Sequence, residues 1–243
     1  MIDRRRLLFS ALALPLIAAK RAPPGVDWTK WFHDWFGRDF GMLDYYRDDN
    51  EALIASRERV DIVFMGDSIT EGWHDKRPGF FSRGRIDRGI SGQTTSQMVL
   101  RMFSDVVELR PRAVHIMAGT NDIAGNTGPM TAQMTEDNFR AMADIAQRHA
   151  IKVLIACTPP AASFPWSPGI QTRPRIAELN SRLERYAHST GATWVDYRPA
   201  LDDGTGAMKP GLASDGVHPT EAGYDAMAKI IDPILHRLLG SRK

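Results

Sequence analysis

From Asp61 onward, the hydrophobic positions fall into short apolar runs separated by longer stretches of helical period. Ile62 to Met65, ending at Gly66, is rich in β-branched residues and predicts a first strand. Arg85 to Arg88 predicts a shorter second strand, Ala113 to Ala118 a third, Ile151 to Cys157 a fourth and Thr193 to Asp196 a fifth. Between and after them, apolar residues three and four apart predict helices at Thr95 to Leu109, at 131–149 through Met134, Phe139, Met142 and Ile145, at Arg175 to Tyr186, and at Thr220 to Leu239. Ahead of this alternation, Trp28, Trp31, Phe32, Trp35 and Phe36 share that spacing and predict a packing helix within 28–57. Strands alternating with helices imply parallel strands joined by right-handed crossovers. The expected fold is α/β, a flavodoxin-like three-layer α/β/α sandwich with a mostly parallel sheet of about five strands.

Composition narrows the function classes. The 243 residues, 43% hydrophobic and 25% charged, are enough for one globular domain, expected over 28–243. The formal net charge of +2 falls to zero when residues 1–19 are set aside, because Arg4, Arg5, Arg6 and Asp3 leave with them. A neutral body argues against nucleic acid as a partner, since phosphate backbones are held by clustered Lys and Arg. Cys157 is the only cysteine, which excludes an intrachain disulfide and zinc sites built on several thiolates. The seven histidines are scattered and no H-E-x-x-H occurs, so neither a metal nor another cofactor is expected.

Residues 1–19 place a basic cluster before the apolar run Leu7 to Ala19, which is the layout of an export signal. That run is too short for a stable membrane span, which needs roughly 20 apolar residues. The paired arginines before Leu-Leu-Phe resemble a twin-arginine signal, and an uncleaved amphiphilic tail is the other reading. Lys20 to Asp27, with Pro23, Pro24 and Gly25, reads as a linker. The expectation is an exported protein, periplasmic or extracellular.

Ligands of such sheets bind outside the carboxyl ends of the strands, and that is where the chemically suggestive residues lie. Gly66-Asp67-Ser68-Ile69 follows the first strand and exposes a serine at the start of a helix, where its own N–H points at any oxyanion formed beside it. Alone, the same serine reads equally well as a helix cap. Ser91-Gly92-Gln93 follows the second strand, and Gly92 can bring a backbone N–H close to a ligand. Gly119-Thr120-Asn121-Asp122 opens the Gly119 to Gly128 loop after the third strand, and Asn121 offers a side-chain amide at the same rim, although a loop asparagine often satisfies its own backbone. Asp215-Gly216-Val217-His218-Pro219 sits just before the last helix, and Pro219 keeps His218 in extended geometry. A serine hydroxyl needs a base within reach, and the base needs a group that fixes its tautomer. His218 and Asp215 can supply both from one short segment, or can simply cap the helix.

These four blocks, Gly66-Asp67-Ser68-Ile69, Gly92, Gly119-Thr120-Asn121-Asp122 and Asp215-Gly216-Val217-His218, stand in the order found in the GDSL or SGNH hydrolases, which the chain resembles from Asp61 onward. The stretches Gly89 to Gln97 and Ala118 to Pro129 are most similar to the acylhydrolase branch that includes platelet-activating-factor acetylhydrolase subunits. The resemblance implies an esterase with Ser68 as nucleophile, His218 as general base and Asp215 as its orienting acid. It also implies an oxyanion hole from the Ser68 and Gly92 N–H groups and the Asn121 side chain. Ile69 replaces the leucine of the family's name, a conservative change.

Competing chemistries fit less well. An α/β-hydrolase carries its nucleophile in G-x-S-x-G, whereas Thr70 stands two residues after Ser68. Ser91, a rival nucleophile, lies where the resemblance puts an oxyanion donor. A binding module for a phosphate- or sugar-containing ligand at the same rim is the alternative, but neither G-x-x-x-x-G-K-[ST] nor G-x-G-x-x-G follows the first strand. The expected substrate is a small-molecule ester, a short acyl group on a sugar, lysophospholipid or other small alcohol. Trp166, in the proline-rich loop Thr158 to Thr172, is a candidate substrate contact or a loop anchor.

Overall fold

The computed structural model describes Asp27, Lys30 and residues 37–240. The expected export signal, most of the linker and the aromatic stripe Trp28 to Phe36 lie outside the described residues.

Five strands, β1 (Ile62–Gly66), β2 (Arg85–Gly89), β3 (Ala113–Met117), β4 (Lys152–Ala156) and β5 (Thr193–Val195), form one sheet in the order β2-β1-β3-β4-β5, every pair parallel. All residues of β1 and β3 are buried, as expected of central parallel strands covered on both faces. The α/β expectation therefore holds, with an all-parallel sheet.

The helices are α1 (Arg47–Ser56), α2 (Ser68–Lys76), α3 (Thr95–Leu100), α4 (Thr120–Ala124), α5 (Ala132–Arg148), α6 (Thr172–Thr190), α7 (Arg198–Leu201) and α8 (Glu221–Leu239). The crossover from β1 to β2 runs opposite to the three that follow, so right-handed connections put α2 on one face and α3, α5 and α6 on the other. Packing agrees: α2 meets α8, and α5 meets both α3 and α6. The amphipathic α5 starts at a Thr131 cap and buries Phe139, Met142, Ala143 and Ala146. Thr220 caps α8 in the same way.

Three expectations are corrected. The helix at Thr95 to Leu109 ends at Leu100, and a separate wide turn at Phe103–Val107 follows, closed by Glu108 N–H on the Phe103 carbonyl at 3.0 Å. Polar burial explains the break: the Arg101 guanidinium is fully buried on Asp105, Gln93 and the Gly66 carbonyl, and Asp105 also takes Asn50 Nδ2 at 2.7 Å. The helix expected through the aromatic stripe lies outside the described residues and is not among these corrections; after it, residues 39–46 are irregular, because Asp39 accepts the Asp44 N–H and buried Met42 adopts a φ of 54°. The Gly119 to Gly128 loop contains the one-turn helix α4, and the helix expected at Arg175 to Tyr186 extends to Thr172–Thr190.

Candidate active site

The carboxyl ends of β1, β2 and β3 deliver three of the predicted segments to one rim, and the turn before α8 delivers the fourth. Asp67 caps α2, its Oδ1 accepting the Ile69 N–H at 2.9 Å, and this sets Ser68 as the first helical residue. The Ser68 N–H thus lies where a helix supplies no partner of its own. Burial, only partly offset by the Ile69 N–H and by attraction to His218, raises the Asp67 carboxyl to about 6.

Ser68 Oγ lies 2.9 Å from His218 Nε2, and His218 Nδ1 lies 2.7 Å from Asp215 Oδ2. The other Asp215 oxygen accepts the Val217 and His218 N–H groups at 2.9 and 2.7 Å. Burial pushes the Asp215 carboxyl up, but the hydrogen bonds from the His218 main chain and ring and from Val217 outweigh it and hold the group below its ordinary value. An ionised carboxylate only accepts, so Nδ1 carries the imidazole proton and Nε2 is left to accept from Ser68.

On the opposite side, Gly92 has a φ of 79°, which only glycine adopts without strain. Asn121 on α4 is 3% exposed and donates one Nδ2 proton to the Gln93 carbonyl at 3.0 Å. Asn126 Nδ2 bridges Asn121 Oδ1 and the Gly92 carbonyl, both at 3.0 Å. This fixes the orientation of the Asn121 amide, whose Nδ2 carries a second proton beyond the one given to Gln93. Asn121 therefore belongs to a helix held by its neighbours, not to a loop that satisfies its own backbone.

Trp166 stands beside these groups, its ring 5.8 Å from that of His218 and 42% exposed. Beneath it, buried Phe164 stacks on the indole at 5.3 Å, and Ser167 Oγ donates to the Ala124 carbonyl at 3.0 Å. Phe164 is buried under the loop, while the Trp166 ring, stacked on it, is part-exposed beside His218. Ser91, the rival nucleophile, donates its hydroxyl to Glu71. Glu71, Gln93 and Asn126 were not singled out in the sequence. Glu71 could have been, because three residues after Ser68 is one helical turn. Among the described residues, no group of three or more His, Cys, Asp or Glu side chains could hold a metal ion, and no helix is long and apolar enough to cross a membrane.

The family model described as GDSL-like lipase/acylhydrolase matches residues 64–226. The chain belongs to this family. The GDSL-like relatives include a lipase of Bacteroides thetaiotaomicron, whose crystal structure superposes with a TM-score of 0.78 at 40% identity, covering 83% of this chain and all of that one. Esterase TesA of Pseudomonas aeruginosa is 27% identical over 63% of this chain and 70% of its own. The uncharacterized lipoprotein YqeF of Bacillus subtilis is 33% identical over 44% of this chain, a match that spans about half, 52%, of YqeF.

Proposed function

We propose that the chain hydrolyses carboxylic esters of small alcohols through an acyl-enzyme on Ser68. One observation carries this reading: the continuous hydrogen-bonded series Ser68 Oγ, His218 Nε2, His218 Nδ1 and Asp215 Oδ2, with distances of 2.9 and 2.7 Å. In the first half-reaction His218 Nε2 takes the Ser68 proton as Oγ bonds to the ester carbonyl carbon, and Asp215 stabilises the imidazolium. The carbonyl electrons move onto oxygen, which the Ser68 and Gly92 N–H groups and Asn121 Nδ2 receive. As the tetrahedral carbon collapses, the alcohol leaves with the proton from His218. Water, deprotonated by the same imidazole, then releases the acid and restores Ser68.

The leaving alcohol departs on the His218 side, where Trp166 is exposed, so this indole contacts the alcohol part or the face of a sugar. The substrate class is a short acyl group on a sugar, lysophospholipid or other small alcohol. Support from relatives is an esterase by name in TesA and a lipase in the structural neighbour. Export belongs to the same proposal, supported by Arg4 to Arg6 ahead of Leu7 to Ala19 and by the likeness to a lipoprotein.

The test is turnover of p-nitrophenyl esters of increasing acyl length and of acetylated sugars, by wild type and by His218→Asn. Wild-type turnover that is greatest for short acyl groups and is lost in His218→Asn supports the proposal. Unchanged turnover in the variant contradicts it.

A further inference from the structure

Resting on the hydrolase reading, we infer that Glu71 is the positioning residue that locks the oxyanion-donor turn to the helix bearing the nucleophile. Ser68 and Gly92 belong to different elements, α2 and the turn after β2, and their N–H groups serve one oxygen only if the spacing of those elements is held. Glu71 lies on α2 one turn beyond Ser68 and is 7% exposed. Its Oε2 accepts both the Ser91 N–H, at 3.0 Å, and the Ser91 hydroxyl, while Oε1 accepts the Tyr45 hydroxyl at 2.5 Å. One carboxylate thus grips the residue next to Gly92.

The backbone around this contact leaves little room for adjustment. A Cβ on Gly89 would sit 2.2 Å from the Glu71 nitrogen, so α2 rides directly on the end of β2. Beyond Gly92, the Gln93 N–H returns to the Ile90 carbonyl, and the Gln93 side chain is held by Arg101 Nε at 2.6 Å and the Gly41 carbonyl at 3.1 Å. Asn121 and Asn126 fix the far side of the turn through the Gln93 and Gly92 carbonyls. Glu71 is the contact that ties the turn to α2 itself.

The chemistry of the group also fits. Three donors converge on two oxygens, a demand that a carboxylate meets and an amide does not, because an amide offers one acceptor and a pair of donors. The arrangement also accounts for Ser91: its proton is committed to Glu71, whereas the His218 imidazole is bonded to Ser68.

The experiment compares wild type, Glu71→Gln, Ser91→Ala and Tyr45→Phe for kcat, KM, unfolding midpoint and affinity for a short alkylboronic acid, which mimics the tetrahedral adduct. A displacement of about 1 Å at reacting groups costs roughly a hundredfold, so Glu71→Gln is expected to lower kcat by about ten- to a hundredfold. KM should change by less than about threefold, because the lost contact serves the transition state. Boronate affinity should fall in parallel with kcat/KM. Ser91→Ala keeps the main-chain half of the grip and should lose about three- to tenfold in kcat, while Tyr45→Phe, which leaves the Ser91 contacts intact, should stay within about threefold. Tyr45→Phe losing kcat as much as Glu71→Gln, in step with lost stability, would overturn the inference. So would folded Glu71→Gln with wild-type kcat and boronate affinity. If Glu71→Gln does not fold, Ser91→Ala decides alone, and wild-type turnover in it overturns the inference. A wild-type protein that neither turns over esters nor forms an adduct on Ser68 would instead bring down the hydrolase reading, and this inference with it.

Discussion

Replacing Asn121 by alanine separates chemistry from scaffolding. The α4 backbone should survive, because the Ile123 N–H bonds the Gly119 carbonyl at 3.0 Å and the Asn126 N–H bonds the Asn121 carbonyl at 3.1 Å, neither using the side chain. The substitution strands the Gln93 carbonyl, which receives Nδ2 at 3.0 Å, and takes one acceptor from Asn126, which keeps the Gly92 carbonyl. One buried group left unsatisfied costs about 1–3 kcal/mol, so the variant should fold with a modestly lowered unfolding midpoint. The lost donor to the oxyanion should lower kcat by about a hundred- to a thousandfold, near 3–4 kcal/mol, with KM little changed. Steady-state hydrolysis of p-nitrophenyl acetate beside urea unfolding reads both quantities. A stable Asn121→Ala protein whose kcat stays within about threefold of wild type would refute the assignment of its amide to the oxyanion.

Two buried groups make opposite contributions to the pH dependence of stability. Asp67, raised to about 6 from 3.8, holds its proton more tightly when folded, so it contributes stability below pH 3.8 that is lost as pH rises to about 6, some 3 kcal/mol in order of magnitude. His115, fully buried in β3 and lowered by burial to about 3 from 6.5, contributes stability that is lost as pH falls below 6.5. Asp67→Asn, which keeps an oxygen for the Ile69 N–H, should therefore show a steeper loss of stability than wild type between pH 6 and 4; identical urea midpoints across that range would contradict the raised carboxyl. Trp166→Ala should raise KM for acetylated sugars about fivefold while leaving kcat for p-nitrophenyl acetate within about threefold, since aromatic contacts of this kind contribute roughly 1 kcal/mol; equal effects on both substrates would make the indole a prop for the loop.

The layered fold was legible because central parallel strands are buried on both faces and read as apolar runs, unbroken in β1 and interrupted only by His115 in β3. The segments that meet at the rim were legible for a related reason, since all three strand-end turns must open on the same edge of a parallel sheet. Helix limits near the site were not legible, because polar burial sets them: Arg101 reads as a surface cation in a helix yet is fully buried, and it ends α3. Glu71, Gln93 and Asn126 were missed because each acts through a main-chain group or a hydroxyl distant in sequence, a partnership that hydrophobic periodicity does not encode. For Trp166, the sequence does not encode its neighbours: the buried Phe164 it stacks on and the His218 ring beside it come from the three-dimensional placement.

The central claim is that Ser68 is the nucleophile, and intact-mass analysis after exposure to a fluorophosphonate tests it most directly. A single phosphonyl adduct on the wild-type chain, absent from Ser68→Ala and accompanied by loss of ester turnover, is the expected result. A folded wild-type protein that takes up no adduct, or a Ser68→Ala protein that still does, would contradict it.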